Sequence, residues 1–151
     1  GLKLAANVAA MLVAFVALVA MINYFLTFAD TSLQGILGFV FRPLAWSMGI
    51  SWEEAQMVGV LMGEKITLTE LIAYSDLRDL RLEQAISDRT AIIASYALCG
   101  FANFASIGIQ LGGIGGIAPE RRKDLASLAL KAMLGGALAS WMTASIAGIL
   151  I

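Results

Sequence analysis

Histidine is absent from the 151-residue chain, and cysteine occurs once, as Cys99. Without histidine there is no His-based triad, no HExxH zinc site, and none of the side chain most general-base enzymes use near neutral pH. A single cysteine forms neither an internal disulfide nor a cysteine-cluster metal site. Enzymes that work with carboxylates alone stay open. Charge is scarce too: 14% of residues are Asp, Glu, Lys or Arg, against about 25% in a soluble domain. A net charge of −1 leaves no basic footprint for nucleic acid. What the chain has instead is apolar surface, 60% of its residues, with a mean hydropathy of +0.84. Spread along the chain, this describes an all-α membrane protein. The opening Gly1-Leu2-Lys3, without an initiator Met, predicts a fragment of a longer protein.

Residues 4–29 carry no charge. That is too long for the roughly 7–15-residue core of a signal peptide and long enough for a tilted crossing, which needs about 20 apolar residues. Ala6, Ala10 and Ala14 repeat every fourth residue, a spacing that lets another helix approach. Asn7 and Asn23 read as interfacial. Residues 31–50 are apolar but interrupted by Arg42-Pro43. Proline disfavours helical geometry at the residue before it, and Arg42, Trp46 and Trp52 suit the headgroup level. The segment reads as a broken amphipathic helix lying along the interface.

Residues 53–75 are the odd region. AQMVGVLMG is apolar, Glu64-Lys65 intervenes, and ITLTELIAY follows. Neither piece is long enough to span. Two half-helices folded back on each other, entering and leaving on one side, fit better. The turn is expected at residues 63–67, with Gly59 and Gly63 easing close packing and Glu64-Lys65 at an exposed tip or in a local ion pair. The alternative is a soluble helical hairpin between spans. Residues 76–89 alternate Asp76, Asp79, Glu83 and Asp88 with Arg78, Arg81 and Arg89, as a solvated connector does.

Residues 90–118 are uncharged and glycine-rich, with Gly100, Gly108, Gly112, Gly113, Gly115 and Gly116. Each glycine weakens a helix by about 1 kcal/mol relative to alanine, which predicts a break near the middle. Broken helices are tolerated in a membrane where they line a cavity. Pro119 suits the start of a last helix over 120–151, whose Gly135, Gly136, Ala139, Ala144, Ala147 and Gly148 suggest tight packing. Lys3 and Arg121–Lys123 mark the cytoplasmic side by the positive-inside rule. Crossings at 4–29, 90–118 and 124–151 with a re-entrant hairpin at 53–75 then leave the connector outside.

Glu70 stands among Leu68, Leu71 and Ile72. A carboxylate at the bilayer centre costs about 2.5–3.5 kcal/mol on insertion scales, so it needs water, a partner or a ligand. Residues 90–118 offer Asn103, Ser106 and Gln110, spaced i, i+3 and i+7 along one face if helical, with Phe101 and Phe104 flanking Asn103. A carboxylate, amides, a hydroxyl and aromatic faces suit a neutral polyhydroxylated ligand carrying a flat ring. They do not suit a phosphate, for which clustered Lys or Arg is expected. Thr67 and Thr69 are expected to bond locally, and Cys99 to be a buried apolar residue.

Three stretches carry a resemblance to a known family. GEKITLTELIAY (63–74), SYALCGFANFASIGIQLGGIGGIAPERRKDLA (95–126) and ASWMTASIAGIL (139–150) resemble the C-terminal half of a concentrative nucleoside transporter. The family consists of trimeric ion-coupled symporters built as inverted repeats, with eight core helices and two re-entrant hairpins. The resemblance implies a scaffold helix at 4–29 facing the threefold axis, the second hairpin at 53–75, a discontinuous helix at 90–118 and the last helix at 120–151. It also implies that Glu70 accepts the ribose hydroxyls, that Asn103 and Ser106 engage the ribose, and that Phe101 packs near the base. Many relatives have Asn before the hairpin glutamate where this chain has Thr69. The first hairpin, which in the family reads the nucleobase and holds the coupling cation, has no counterpart here. That cation, sodium in preference to a proton, and the N-terminal half are therefore expected partners, with nucleoside as substrate and the cell membrane as location. Two other classes remain: an assembly subunit whose polar residues only bond neighbouring helices, and a membrane enzyme using Glu70 as base.

Overall fold

A computed structural model describes the backbone of residues 1–151 and all side chains except those of residues 3, 4, 7, 8 and 11. The expectations for the Lys3 and Asn7 side chains lie outside the described residues. The fold is all-helical, as expected. Helix α1 spans Leu2–Leu26 and ends in a 3-10 turn at Thr27–Ala29. α2 (Leu33–Ser47), α3 (Trp52–Thr67), α4 (Glu70–Leu82), α5 (Asp88–Leu98) and α6 (Phe104–Ile117) follow, and a 3-10 turn at Pro119–Arg121 opens α7 (Arg122–Leu150).

Two stretches, Leu12–Ala29 and Pro119–Leu150, are long and apolar enough to cross a membrane. Both leave large apolar side chains uncovered, among them Phe25, Phe28, Met142 and Ile149. Asn23 is a helix-capping residue. Its Oδ1 accepts from the Leu33 amide at 2.8 Å, and its Nδ2 donates to Gln34 Oε1 at 2.9 Å. With Ser32 accepting from the Gly35 amide at 3.0 Å, this starts α2 against the end of α1.

α2 runs through Arg42-Pro43 without a break, contrary to the sequence expectation. The tertiary packing outweighs the local rule. A Cβ on Gly59 would collide with the Gly38 carbonyl, and one on Gly38 would come within 2.6 Å of Val60 Cγ2, so α2 and α3 touch almost backbone to backbone. The Arg42 guanidinium lies 4.2 Å from the Trp52 ring centre and donates to the Trp52 carbonyl at 3.1 Å, which fastens the same two elements.

α3 and α4 meet at Leu68-Thr69, not at residues 63–67. Leu68 leaves the helical region (φ −112°, ψ −104°) and Thr69 is extended. The earlier turn is not made because Gly63 serves as a contact: its α-carbon faces Leu37 and the Gln34 carbonyl on α2. The Leu68 amide still bonds the Glu64 carbonyl at 2.7 Å, which completes the last turn of α3. α4 then runs back beside α3, so that Met57, Leu61 and Glu64 share a cleft with Asp76, Asp79 and Leu80. It reaches Leu82, making half of the expected connector helical. The charges there are exposed and paired, Arg78 with Asp79 at 2.8 Å and Arg81 with Asp88 at 3.0 Å; such surface pairs contribute about 0–1 kcal/mol each.

The Glu54 carboxylate receives the Ser87 amide at 2.8 Å and the Ser87 and Thr90 hydroxyls, binding the start of α3 to the start of α5. From the same first turn of α5, Arg89 donates to the carbonyls of Gly49, Gly148 (2.7 Å) and Ile151 (3.2 Å). Cations at helix C-termini are favourable because the unpaired carbonyls there are the negative end of the helix dipole. The core includes Met48, Val58, Met62, Ile93, Leu98 and Ala137.

Candidate substrate site

The chain breaks between α5 and α6. Cys99 and Asn103 are extended, and Gly100 takes φ +93°, a region in which a side chain is strained. Asn103 is the N-cap of α6. Its Oδ1 accepts from the Ser106 amide at 2.7 Å, and Ser106 Oγ donates to the Asn103 carbonyl at 2.6 Å. This pair of bonds satisfies an otherwise orphaned amide at the helix start and fixes the asparagine amide, so that Nδ2 points away from its own helix. It donates to Glu70 Oε2 at 2.9 Å.

Glu70 is the first residue of α4, immediately after the extended Thr69. The starts of two helices thus converge on one carboxylate. Each start is a partly positive end, which stabilises a negative charge by about 0.3–1 kcal/mol. Asn103 and Ser106 are buried, at 3% and 6% exposure, while Glu70 is half-buried. Phe101 stands out at 76% exposure, and Phe104 stacks on Phe15 of α1 with ring centres 6.1 Å apart. Within the cluster only Glu70 is partly open to the surface, and the Phe101 ring, two residues before Asn103, is free. A carboxylate with an oriented amide beside it can take hydrogen bonds from two neighbouring hydroxyls.

Glu70, Asn103 and Ser106 are brought together; Gln110 is exposed and does not join them. The i, i+7 spacing brings Gln110 to Asn103 only along one continuous helix, and α6 begins after Asn103. Thr67 bonds its own helix at the Gly63 carbonyl, 2.8 Å away, whereas Thr69 makes no cap bond. Cys99 is exposed, not buried, because it lies in the break and not on the packed face of α5.

Contrary to the sequence expectation, Glu64-Lys65 is neither a tip nor a local ion pair. With the turn displaced to Leu68-Thr69, Lys65 falls inside α3 and is fully buried. Its Nζ donates to the carbonyls of Ala97 and Cys99, both at 3.0 Å, at the C-terminal end of α5. Glu64 lines the cleft facing Asp76 instead. The available signal was the company Lys65 keeps in sequence: Ile66 and Leu61 lie beside it in the same buried helix.

Residues 1–148 match the family described as Na+ dependent nucleoside transporter C-terminus. The chain belongs to this nucleoside transporter family. It is 49% identical to the uncharacterized transporter YutK of Bacillus subtilis, over 100% of this chain and 39% of that protein. It is 42% identical to sodium/nucleoside cotransporter 1 of Mus musculus, over 98% of this chain and 26% of that protein. A solved structure of a CNTnw variant in an intermediate state superposes with a TM-score of 0.89 at 46% identity, covering 99% of this chain and 39% of that one. The chain thus spans well under half the length of the transporters it matches. Its family, the concentrative nucleoside transporters, is the one the three sequence blocks resembled. It is a family of transporters, which removes the carboxylate-only enzyme.

Proposed function

We propose that the chain is the substrate-binding C-terminal half of a nucleoside symporter that imports nucleoside by coupling to a cation, sodium in preference to a proton. The observation that carries this reading is the 2.9 Å bond between Asn103 Nδ2 and Glu70 Oε2, which unites the beginnings of α4 and α6. Glu70 accepts hydrogen bonds from the ribose hydroxyls, the Asn103 amide and Ser106 hold that geometry, and Phe101 packs near the base. The sodium named in the mouse relative favours sodium as the coupling ion.

In this arrangement α1 is the scaffold helix facing the axis of a homotrimer, and its bare apolar side chains support that role. α2 lies along the interface, α3 with the start of α4 forms the re-entrant hairpin, α5 and α6 form the discontinuous helix, and α7 is the last crossing in the cell membrane. The N-terminal half of the same transporter supplies the base-reading groups and the cation site. The hairpin and the broken helix then move past the fixed scaffold to expose the site to each side in turn.

Uptake of labelled uridine by the full-length transporter tests the assignment. Glu70→Gln takes the charge from the acceptor and Asn103→Ala removes the donor, so each loses a charge-assisted hydrogen bond of about 1.5–3 kcal/mol, and transport falls at least about tenfold. Near-normal transport in both variants refutes the site. The rival reading, polar residues as interhelical glue, has one observation in its favour, since Glu70 and Asn103 satisfy each other directly. Thermal unfolding in detergent separates the two: uridine raises the melting temperature if it binds the folded form, and leaves it unchanged if the residues are only glue.

A further inference from the structure

Lys65 is the one buried charged side chain among the described residues, with no exposed surface, and none of the described salt bridges includes it. Lysine is almost never fully buried unless paired. Here its partners are two neutral carbonyl oxygens, those of Ala97 and Cys99. Both belong to the end of α5, where the chain leaves the helix and its carbonyls lose their helical partners. The Cys99 carbonyl also receives Ser140 Oγ from α7 at 2.6 Å. The unwound end of a half-helix is the kind of place where membrane transporters hold small cations, on backbone carbonyls and at the negative end of the helix dipole.

We propose that Lys65 is a tethered cation: its ammonium fills a carbonyl-lined monovalent-cation position at the α5–α6 break, and by doing so positions the Glu70–Asn103 pair. The connection is short on both sides. Lys65 precedes Glu70 by the last two residues of α3 and the bend at Leu68-Thr69, and the carbonyl of Cys99 precedes Asn103 by the break between α5 and α6. One side chain therefore clamps the two segments whose far ends carry the pair, and a fixed positive charge takes the place of an exchangeable ion. The positioning role rests on the proposed nucleoside site; the tethered cation does not.

The test uses the full-length transporter in detergent, at constant sodium. Lys65→Ala exposes the carbonyls to small cations. Ammonium or methylammonium then raises the melting temperature of this variant and not that of wild type, because a ligand of the folded form stabilises it. Uridine affinity falls at least about tenfold in Lys65→Ala and is partly restored by the same cations. Lys65→Gln keeps two N–H donors but no charge, and it also weakens uridine binding. Identical ammonium responses in wild type and Lys65→Ala, or wild-type uridine affinity in Lys65→Gln, overturn the inference. Should Lys65→Ala not be obtained folded, Lys65→Gln carries the affinity test alone. Glu70→Gln is the control: if it binds uridine like wild type, the nucleoside site fails, and the ammonium-dependent melting still decides the tethered cation.

Discussion

The long last helix and the middle of the chain use polar side chains in different ways. On the continuous helix α7, Ser127, Thr143 and Ser145 bond back to carbonyls of their own helix, at 2.8, 2.9 and 2.9 Å. In the interrupted region from α3 to α6, they reach across: Lys65 to Ala97 and Cys99, Tyr74 to the Ser95 carbonyl, Asn103 to Glu70. The difference follows from backbone bookkeeping. A continuous helix satisfies its own amides and carbonyls, so a hydroxyl on it bonds its own helix unless, like Ser140, it lies beside a break that offers a freed carbonyl. Each interruption frees about four groups, and in an apolar setting every freed group needs a partner. Polar side chains are drawn to the breaks, and the breaks become the place where a polar ligand can be held.

The sharpest way to break this contrast is Asn103→Asp. It replaces the donor at 2.9 Å from Glu70 Oε2 with a second carboxylate, while an aspartate still caps a helix as well as asparagine does. Helix α6 therefore keeps its start and the cross-helix contact turns repulsive. We expect a loss of about 3 kcal/mol or more in substrate binding, read as a fall of about a hundredfold or more in uridine affinity. If Asn103→Asp binds like wild type, the contact is not what organises the site.

Glycine offers the next contrast. Gly59 and Gly116 both lie inside helices, but an added carbon at Gly59 meets the Gly38 carbonyl, whereas one at Gly116 meets nothing within 4 Å. Gly59→Val should separate α2 from α3 and cost about 1–3 kcal/mol of stability. Gly116→Ala should gain about 0.5–1 kcal/mol from helix preference alone. Thermal unfolding in detergent of the two variants, side by side, checks the opposite signs.

These contrasts also mark how far the sequence could be read. The apolar runs gave the helices, because they are a local property; the glycines gave less, since only Gly100 lies in the break and Gly108, Gly112, Gly113, Gly115 and Gly116 lie inside the continuous α6. Glu70 and Asn103 stood out because each is polar within an apolar run. Lys65 did not, since a charge pair beside a glycine is what a turn also looks like, and only the position of the bend decides between the two. The bend lies at Leu68-Thr69, where no glycine or proline announces it. Pro43 misled in the other direction: the rule against helix at that point holds for an isolated chain, and here α3 packs along α2 closely enough to overrule it. Both failures have one origin, contacts between helices that are distant from the residues whose geometry they set.

The smallest predicted effect draws the contrast within a single helix. Ser140 and Ser145 are the same residue type on α7, and both bond a carbonyl of their own helix. Ser140 Oγ also donates to the Cys99 carbonyl, which receives the Lys65 ammonium as well. Ser145→Ala removes only a bond that the helix backbone does not need, so its effect stays within about 0.5 kcal/mol. Ser140→Ala removes one of the bonds that hold the break in place and costs about 0.5–1.5 kcal/mol. The difference is near the limit of a thermal unfolding curve, and amide hydrogen exchange resolves it better. Protection of residues 99–103 should fall in Ser140→Ala and stay unchanged in Ser145→Ala. Equal exchange in both would mean that α7 merely lies beside the break, and that Lys65 and the Asn103 cap hold it without help from the long helix.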